Sequence, residues 1–128
     1  MTFHVTALYA SLVALGVIVL ANIVSARRGR ARISILHGDD LGLALAIRRH
    51  GNLIENAPLM LILMGLCEAS DLAAPWLHAM GILFLAARVA HVAGLSVERL
   101  MAPLRLVGGI GTQIAMLGAV GYLLWRQF

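Results

Sequence analysis

From Val5 to Ala26 the chain runs 22 residues without a charge. A helix of that length, at 1.5 Å per residue, crosses a hydrocarbon core of about 30 Å. Further apolar runs lie between positions 41 and 69, 75 and 95, and 106 and 125. Only 12% of the 128 residues are charged and the mean hydropathy is +0.91, so a water-soluble domain of this size would expose far too much apolar surface. The expected fold class is all-α: a polytopic membrane protein built as a four-transmembrane-helix bundle, with residues 1–128 forming one domain. A cleaved leader is the rival reading of the first run, with Val24-Ser25-Ala26 as a weak cleavage site. No positive residue precedes the run and it exceeds a usual leader core, so a retained first helix is expected.

The formal charge of +4 arises from ten arginines, no lysines and six acids. Set beside spanning runs, that excess signals membrane topology and contact with anionic lipid rather than nucleic-acid binding. Arg27, Arg28, Arg30 and Arg32 follow the first helix, and His37-Gly38-Asp39-Asp40 reads as a loop ending in an aspartate cap. The second helix is expected over 41–69 and the third from near Pro75 to Gly94 or Leu95. The fourth has Arg105 at its start and an uncharged run from Leu106 to Trp125. Four crossings place both termini on one side. Arg27, Arg28, Arg30, Arg32, Arg99 and Arg105 gather on the other, with Arg48 and Arg49 nearby, which the positive-inside rule makes cytoplasmic. Trp76, Tyr122 and Trp125 fall at the opposite interface. Small residues recur at Ala86, Ala90 and Gly94, and at Gly108, Gly111 or Thr112, Ala115 and Gly118 or Ala119; both stripes predict close helix packing. The single cysteine, Cys67, reads as a buried, inert thiol.

One stretch disturbs this apolar pattern. Arg48 to Pro58 holds two arginines, a histidine, two asparagines and a glutamate within the second helix. Such groups are costly in a membrane and normally face a bundle interior or a water-filled cavity. Helical spacing aligns Arg48, Asn52 and Glu55, while His50 lies well off that stripe. Glu55 sits about 16 Å inward from Ala44, so its carboxylate needs a partner or a proton. Pro58 removes the donor to the Ile54 carbonyl and predicts a kink near Glu55. The third helix carries Arg88 and His91 one turn apart. A snorkelling arginine with a satisfied core histidine is the bland reading; an intramembrane Arg88–Glu55 ion pair is the favoured one. With Arg105, three helices then contribute to one polar layer suited to a small zwitterionic or polyanionic molecule. Nothing in the spacing suggests a metal site, a phosphate loop or a serine triad. Four short helices enclose little volume, which favours a pocket between subunits.

Arg48-x-His50-x-Asn52-x-x-Glu55-x-x-Pro58 resembles the helix 2 signature of the MAPEG family, the membrane-associated proteins of eicosanoid and glutathione metabolism. Arg88-Val89-Ala90-His91 is similar to its helix 3 motif, and Ala102-Pro103-Leu104-Arg105 to the start of its helix 4. The likeness covers essentially the whole chain. It implies a homotrimer that binds glutathione near the cytoplasmic face, in clefts between subunits. On that likeness Asn52 and Glu55 would hold the glutathione backbone with Arg48 and His91 nearby, and Arg88 would support Glu55 or line the cleft. Arg105 would stabilise the glutathione thiolate, and Arg27 or Arg28 would reach in from an adjacent subunit. A thiolate so held could attack a lipophilic electrophile or reduce a lipid hydroperoxide.

The chain also departs from the eicosanoid-forming members. Leu95 stands where they carry a tyrosine, Leu106 where some have a serine, and only Thr112 and Gln113 offer polar groups near Gly108-Gly109. The resemblance is therefore to the small bacterial-type members, which implies a bacterial inner membrane. Two functional classes are expected: a glutathione-dependent transferase or peroxidase, or a non-catalytic membrane protein that keeps its polar layer for trimer packing or for another small anion. A proton-coupled transporter using Glu55 and His91 is a third reading. It lacks paired broken helices and repeated halves.

Overall fold

The structure, a computed structural model, describes residues 2–98 and 102–128. Four helices account for most of it: α1 (His4–Ala31), α2 (Leu41–Ala69), α3 (Ala74–Gly94) and α4 (Pro103–Trp125). Each is long and apolar enough to cross a membrane. The α2 boundaries agree with the sequence reading, and the Asp40 side chain accepts a hydrogen bond from the Leu43 amide at 2.9 Å as the expected cap. α1 runs a full turn further than its uncharged stretch, so Arg27, Arg28 and Arg30 lie on the helix itself. It stops at Arg32, which adopts a left-handed conformation, and the Arg28 guanidinium ties the following loop by donating to the Leu36 carbonyl at 2.8 Å. α2 continues through Pro58 without interruption. Arg99, assigned above to the turn between the third and fourth helices, lies outside the described residues.

α1 packs on α2 and α3, while α4 packs on α3 and α2. The tightest pairing is α3 with α4, and glycine makes it possible. A Cβ at Gly108 would stand 2.5 Å from both the Ala87 carbonyl oxygen and the His91 amide nitrogen, and one at Gly94 would strike the backbone of Leu104 and Arg105. Gly108, Gly111, Thr112, Ala115 and Ala119 form the buried face of α4, as the small-residue stripe predicts. On α3 the expectation needs correction. Ala86 is exposed and Ala90 half-buried; the packed face is Gly81, Phe84, Ala87, Arg88, His91 and Gly94. Repeats of four and of three-four both occur on this helix, and only the partner helix decides which one is covered.

The two ends of the bundle are fastened differently. At the terminal end, Glu68 near the end of α2 accepts from the Val5 and Thr6 amides at 2.9 and 2.8 Å, capping the start of α1 with a carboxylate. The helix dipole makes this placement favourable. Nothing local in the sequence marks the partnership, since 62 and 63 positions separate the groups. Tyr122 donates to the Ser70 carbonyl at 2.6 Å, so the end of α4 lies beside the end of α2. Trp76, Tyr122 and Trp125 gather at this end, lining a groove between α3 and α4. Cys67 is fully buried.

Gly108→Ala should lower the thermal midpoint of detergent-solubilised protein, because backbone atoms of α3 cannot yield as a side chain would; overpacking of this kind costs about 1–3 kcal/mol. Gly109→Ala, where a Cβ would meet nothing within 4 Å, should leave the midpoint unchanged or raise it. Melting followed by circular dichroism separates the two.

Candidate functional site

The end of the bundle away from the termini holds a cleft of about 320 Å³ between α2 and α4, closed at the back by the end of α3. Arg48 and Asn52 from α2, His91 from α3 and Arg105 from α4 line it. Leu41, Ala44, Leu45, Leu95, Ser96 and Val97 complete the wall. Apart from Ser96, whose hydroxyl accepts from the Glu98 amide, these wall residues are apolar and carry no cue beyond their neighbourhood. The gathering itself has a simple origin. Arg48 and Asn52 are one turn apart on α2, and the glycine contacts of Gly94 and Gly108 draw the first turns of α4 onto the last turns of α3.

Arg88 stands behind this cleft and is not part of its lining. It is 5% exposed, and its guanidinium crosses the bundle from α3. Nη1 donates to Asn52 Oδ1 at 2.6 Å and Nη2 to the Gly108 carbonyl at 3.1 Å, joining α2, α3 and α4 through one cation. The Gly108 carbonyl also accepts from Thr112 Oγ1 at 2.8 Å. An arginine can only donate, so Asn52 must turn its oxygen to Arg88. The amide nitrogen is then what Asn52 can offer elsewhere, and Asn52 lines the cleft. His91 is 9% exposed, and its Nδ1 has no hydrogen-bond partner. The His91 ring lines a cleft rimmed by two arginines, while its Nδ1 is a buried polar atom left unsatisfied.

One expected pairing needs correction. Glu55 does not pair with Arg88. Its carboxylate takes both guanidinium nitrogens of Arg48, at 2.9 and 3.3 Å, two turns along the same helix. Both side chains are more than half exposed, so the pair contributes little stability in isolation and chiefly fixes where the Arg48 charge stands. The reason for the mismatch is angular. Asn52 points at the interior and intercepts Arg88, while Glu55 lies on the outer side of the same stripe. Arg27, expected from an adjacent subunit, lies outside the cleft of its own chain. It sits in grooves beside α1 and α2, with Ile23, Arg30 and Asp40 along one and Gly42 and Arg49 along another. Within one chain, α2 separates it from Arg105.

Arg49 has a role that its position beside Arg48 did not announce. One step along a helix turns the side chain by about 100°, so Arg49 faces α1 and α3 instead of the cleft. Its Nη2 donates to the Leu95 carbonyl at 2.8 Å and fixes the end of α3. The described residues contain no group of three or more His, Cys, Asp or Glu side chains placed to hold a metal ion.

These contacts rank the arginines. Arg88→Met keeps the bulk but strands Asn52 Oδ1 and loosens three helices, so it should lower the thermal midpoint strongly; hydrogen bonds to a charged group are worth about 1.5–3 kcal/mol each. Arg48→Met and Glu55→Ala should cost under about 1 kcal/mol. Equal losses for Glu55→Ala and Arg88→Met, read from the same melts, would restore the ion pair that the geometry rejects.

A comparison with curated proteins finds no match for this sequence. The sequence model of the MAPEG family matches residues 6–125, a span that takes in nearly all of α1 and the whole of α2, α3 and α4, together with every residue of the cleft. With four membrane-length helices in that order and no strand among the described residues, the chain belongs to the MAPEG family.

Proposed function

We propose that the α2–α4 cleft binds glutathione and that the protein is a glutathione-dependent transferase or peroxidase acting on lipophilic electrophiles or hydroperoxides. The observation that carries this reading is the convergence of Arg48, Asn52, His91 and Arg105 on one cleft in a chain of a glutathione-associated family. The donors suit the ligand. Arg48 offers a guanidinium to a carboxylate, held in place by Glu55. Asn52, its oxygen already engaged by Arg88, offers a donor to a carboxylate or peptide carbonyl. The His91 ring forms part of the cleft floor beside them.

Bound glutathione supplies a thiol, with an ordinary pKa of about 8.5, as nucleophile or two-electron reductant. The chain's part is to hold the negative charge. Arg105 is the residue we assign to the thiolate, because a guanidinium stays charged and stabilises an adjacent anion. The lipophilic partner would reach the cleft from the bilayer, since exposed apolar residues such as Leu41 and Val97 border it.

The reading extends to assembly and topology. A homotrimer would bring Arg27 of a neighbouring copy toward the cleft, which Arg27 of the same chain cannot enter. The arginine-rich end carrying the cleft would face the cytoplasm by the positive-inside rule, with both termini on the non-cytoplasmic side of a bacterial inner membrane.

Glutathione should bind the purified, detergent-solubilised protein, measured by isothermal titration. Asn52→Asp keeps an acceptor for Arg88 but replaces the donor with a carboxylate oxygen. It should weaken glutathione by about tenfold or more while leaving the thermal midpoint intact. Arg105→Ala should cut turnover of a general aromatic electrophile by about a hundredfold, in line with the loss of one charge-stabilising donor. Unchanged turnover in that variant would remove Arg105 from the chemistry, and undetectable glutathione binding by the unaltered protein would leave the non-catalytic reading in its place.

A further inference from the structure

The lining of the α2–α4 cleft carries a single hydroxyl, that of Ser96. It lies just beyond α3, which ends at Leu95 with the Leu95 amide bonded to the His91 carbonyl at 3.0 Å. Leu95 is buried, whereas Ser96 is exposed at the mouth of the cleft.

Three contacts hold this serine in place. Arg49 donates to the carbonyl of the preceding residue at 2.8 Å. The Glu98 amide donates to Ser96 Oγ at 3.3 Å. Two residues earlier, Gly94 packs so closely on α4 that a Cβ there would strike the backbone of Leu104 and Arg105. The segment leaving α3 therefore starts against the first turn of α4, which carries Arg105. A hydroxyl has one proton to give and two lone pairs to offer. The Glu98 amide occupies a lone pair and leaves the proton, which meets no acceptor among the described residues.

We propose that Ser96 is a further catalytic residue of this cleft, donating a hydrogen bond from its hydroxyl to the glutathione thiolate beside Arg105. The inference rests on the glutathione reading given above. Two features direct the hydroxyl to sulfur and not to the rest of the ligand. Arg48 and Asn52, the donors assigned to carboxylate and peptide groups, come from α2, while Ser96 and Arg105 come from the joint of α3 and α4. Val97, the next residue, is 53% exposed, so Ser96 stands at the edge where an electrophile leaves the bilayer, and the reacting sulfur must face that edge. On ionisation the thiol proton passes to water and the sulfur keeps the electron pair. Ser96 retains its own proton and only shares it. A hydrogen bond made to the charged form alone lowers the thiol pKa, and it adds to what the guanidinium does without adding charge.

The test uses Ser96→Ala and Ser96→Thr in the full-length protein in detergent. Thiolate formation by bound glutathione, followed by ultraviolet absorbance against pH, should move upward by about one pH unit in Ser96→Ala and return in Ser96→Thr, which keeps the hydroxyl. Turnover of a general aromatic electrophile at neutral pH should fall about tenfold in Ser96→Ala and recover as the pH is raised. S-methylglutathione has no thiol to ionise, and by isothermal titration it should bind both variants as tightly as the unaltered protein. Weaker S-methylglutathione binding by Ser96→Ala would give the hydroxyl to another part of the ligand and overturn the proposal. An unmoved thiolate profile with a lowered thermal midpoint would overturn it as well, leaving Ser96 a turn residue only. Failure of the unaltered protein to bind glutathione would remove the underlying reading, whereas intact binding with an unmoved profile removes Ser96 alone.

Discussion

Arg88 crosses the bundle and joins three helices through one cation, and that is possible only because α3 and α4 touch backbone to backbone. Gly108 lacks the Cβ that would hold the Ala87 and His91 backbone away, and the same glycine offers its carbonyl to Arg88. A guanidinium buried in a membrane bundle must have its donors met, so the side chain takes the Asn52 oxygen from α2 and the Gly108 oxygen from α4. Close packing brings the acceptors within reach, and the cation then makes separating the helices expensive. The cleft is a by-product of this core. His91 is drawn to its floor, Arg105 to its rim, and Asn52 is left with its nitrogen free.

The same logic distributes the charged groups of α2 around the helix. Arg48 and Glu55 satisfy each other on the outer side, Asn52 is claimed by the interior, and Arg49 turns toward α1 and α3. A polar stretch that reads as one block in sequence thus serves three surfaces. One is the α2–α4 cleft, to which we assign glutathione. Another is the α1–α3 side, where Arg49 holds the end of α3. The third is the Arg48–Glu55 pair, which fixes a cation at the rim of the cleft. In a bilayer each of these must be neutralised or wetted.

What could be read from residues alone follows from how local each signal is. The uncharged run from Val5 to Ala26 demands a spanning helix whatever it packs against, and Asp40 caps α2 through a bond to a residue three positions on. The small-residue face of α4 was legible for the same reason. The α3 face was not, because Ala86 and Ala90 make as good a stripe as Gly81, Ala87 and Gly94 until a neighbour chooses between them. Glu68 carries no local sign of its partner, yet it caps a helix more than sixty residues away. Chain separation, and not chemistry, hid it.

The sequence by itself determined the solvent of this protein, the number of its helices, and the family to which it belongs, because hydropathy, helical period and motif spacing are properties of neighbouring residues. It also singled out Arg48, Asn52, His91 and Arg105 of the candidate site. Only the tertiary structure decided how those groups are arranged: Arg88 bound to Asn52 and not Glu55, Arg105 lining one cleft with Arg48 and His91, Arg27 outside that cleft. Pairing depends on the rotation of each helix about its axis, and that rotation is set by which small residues let two backbones touch.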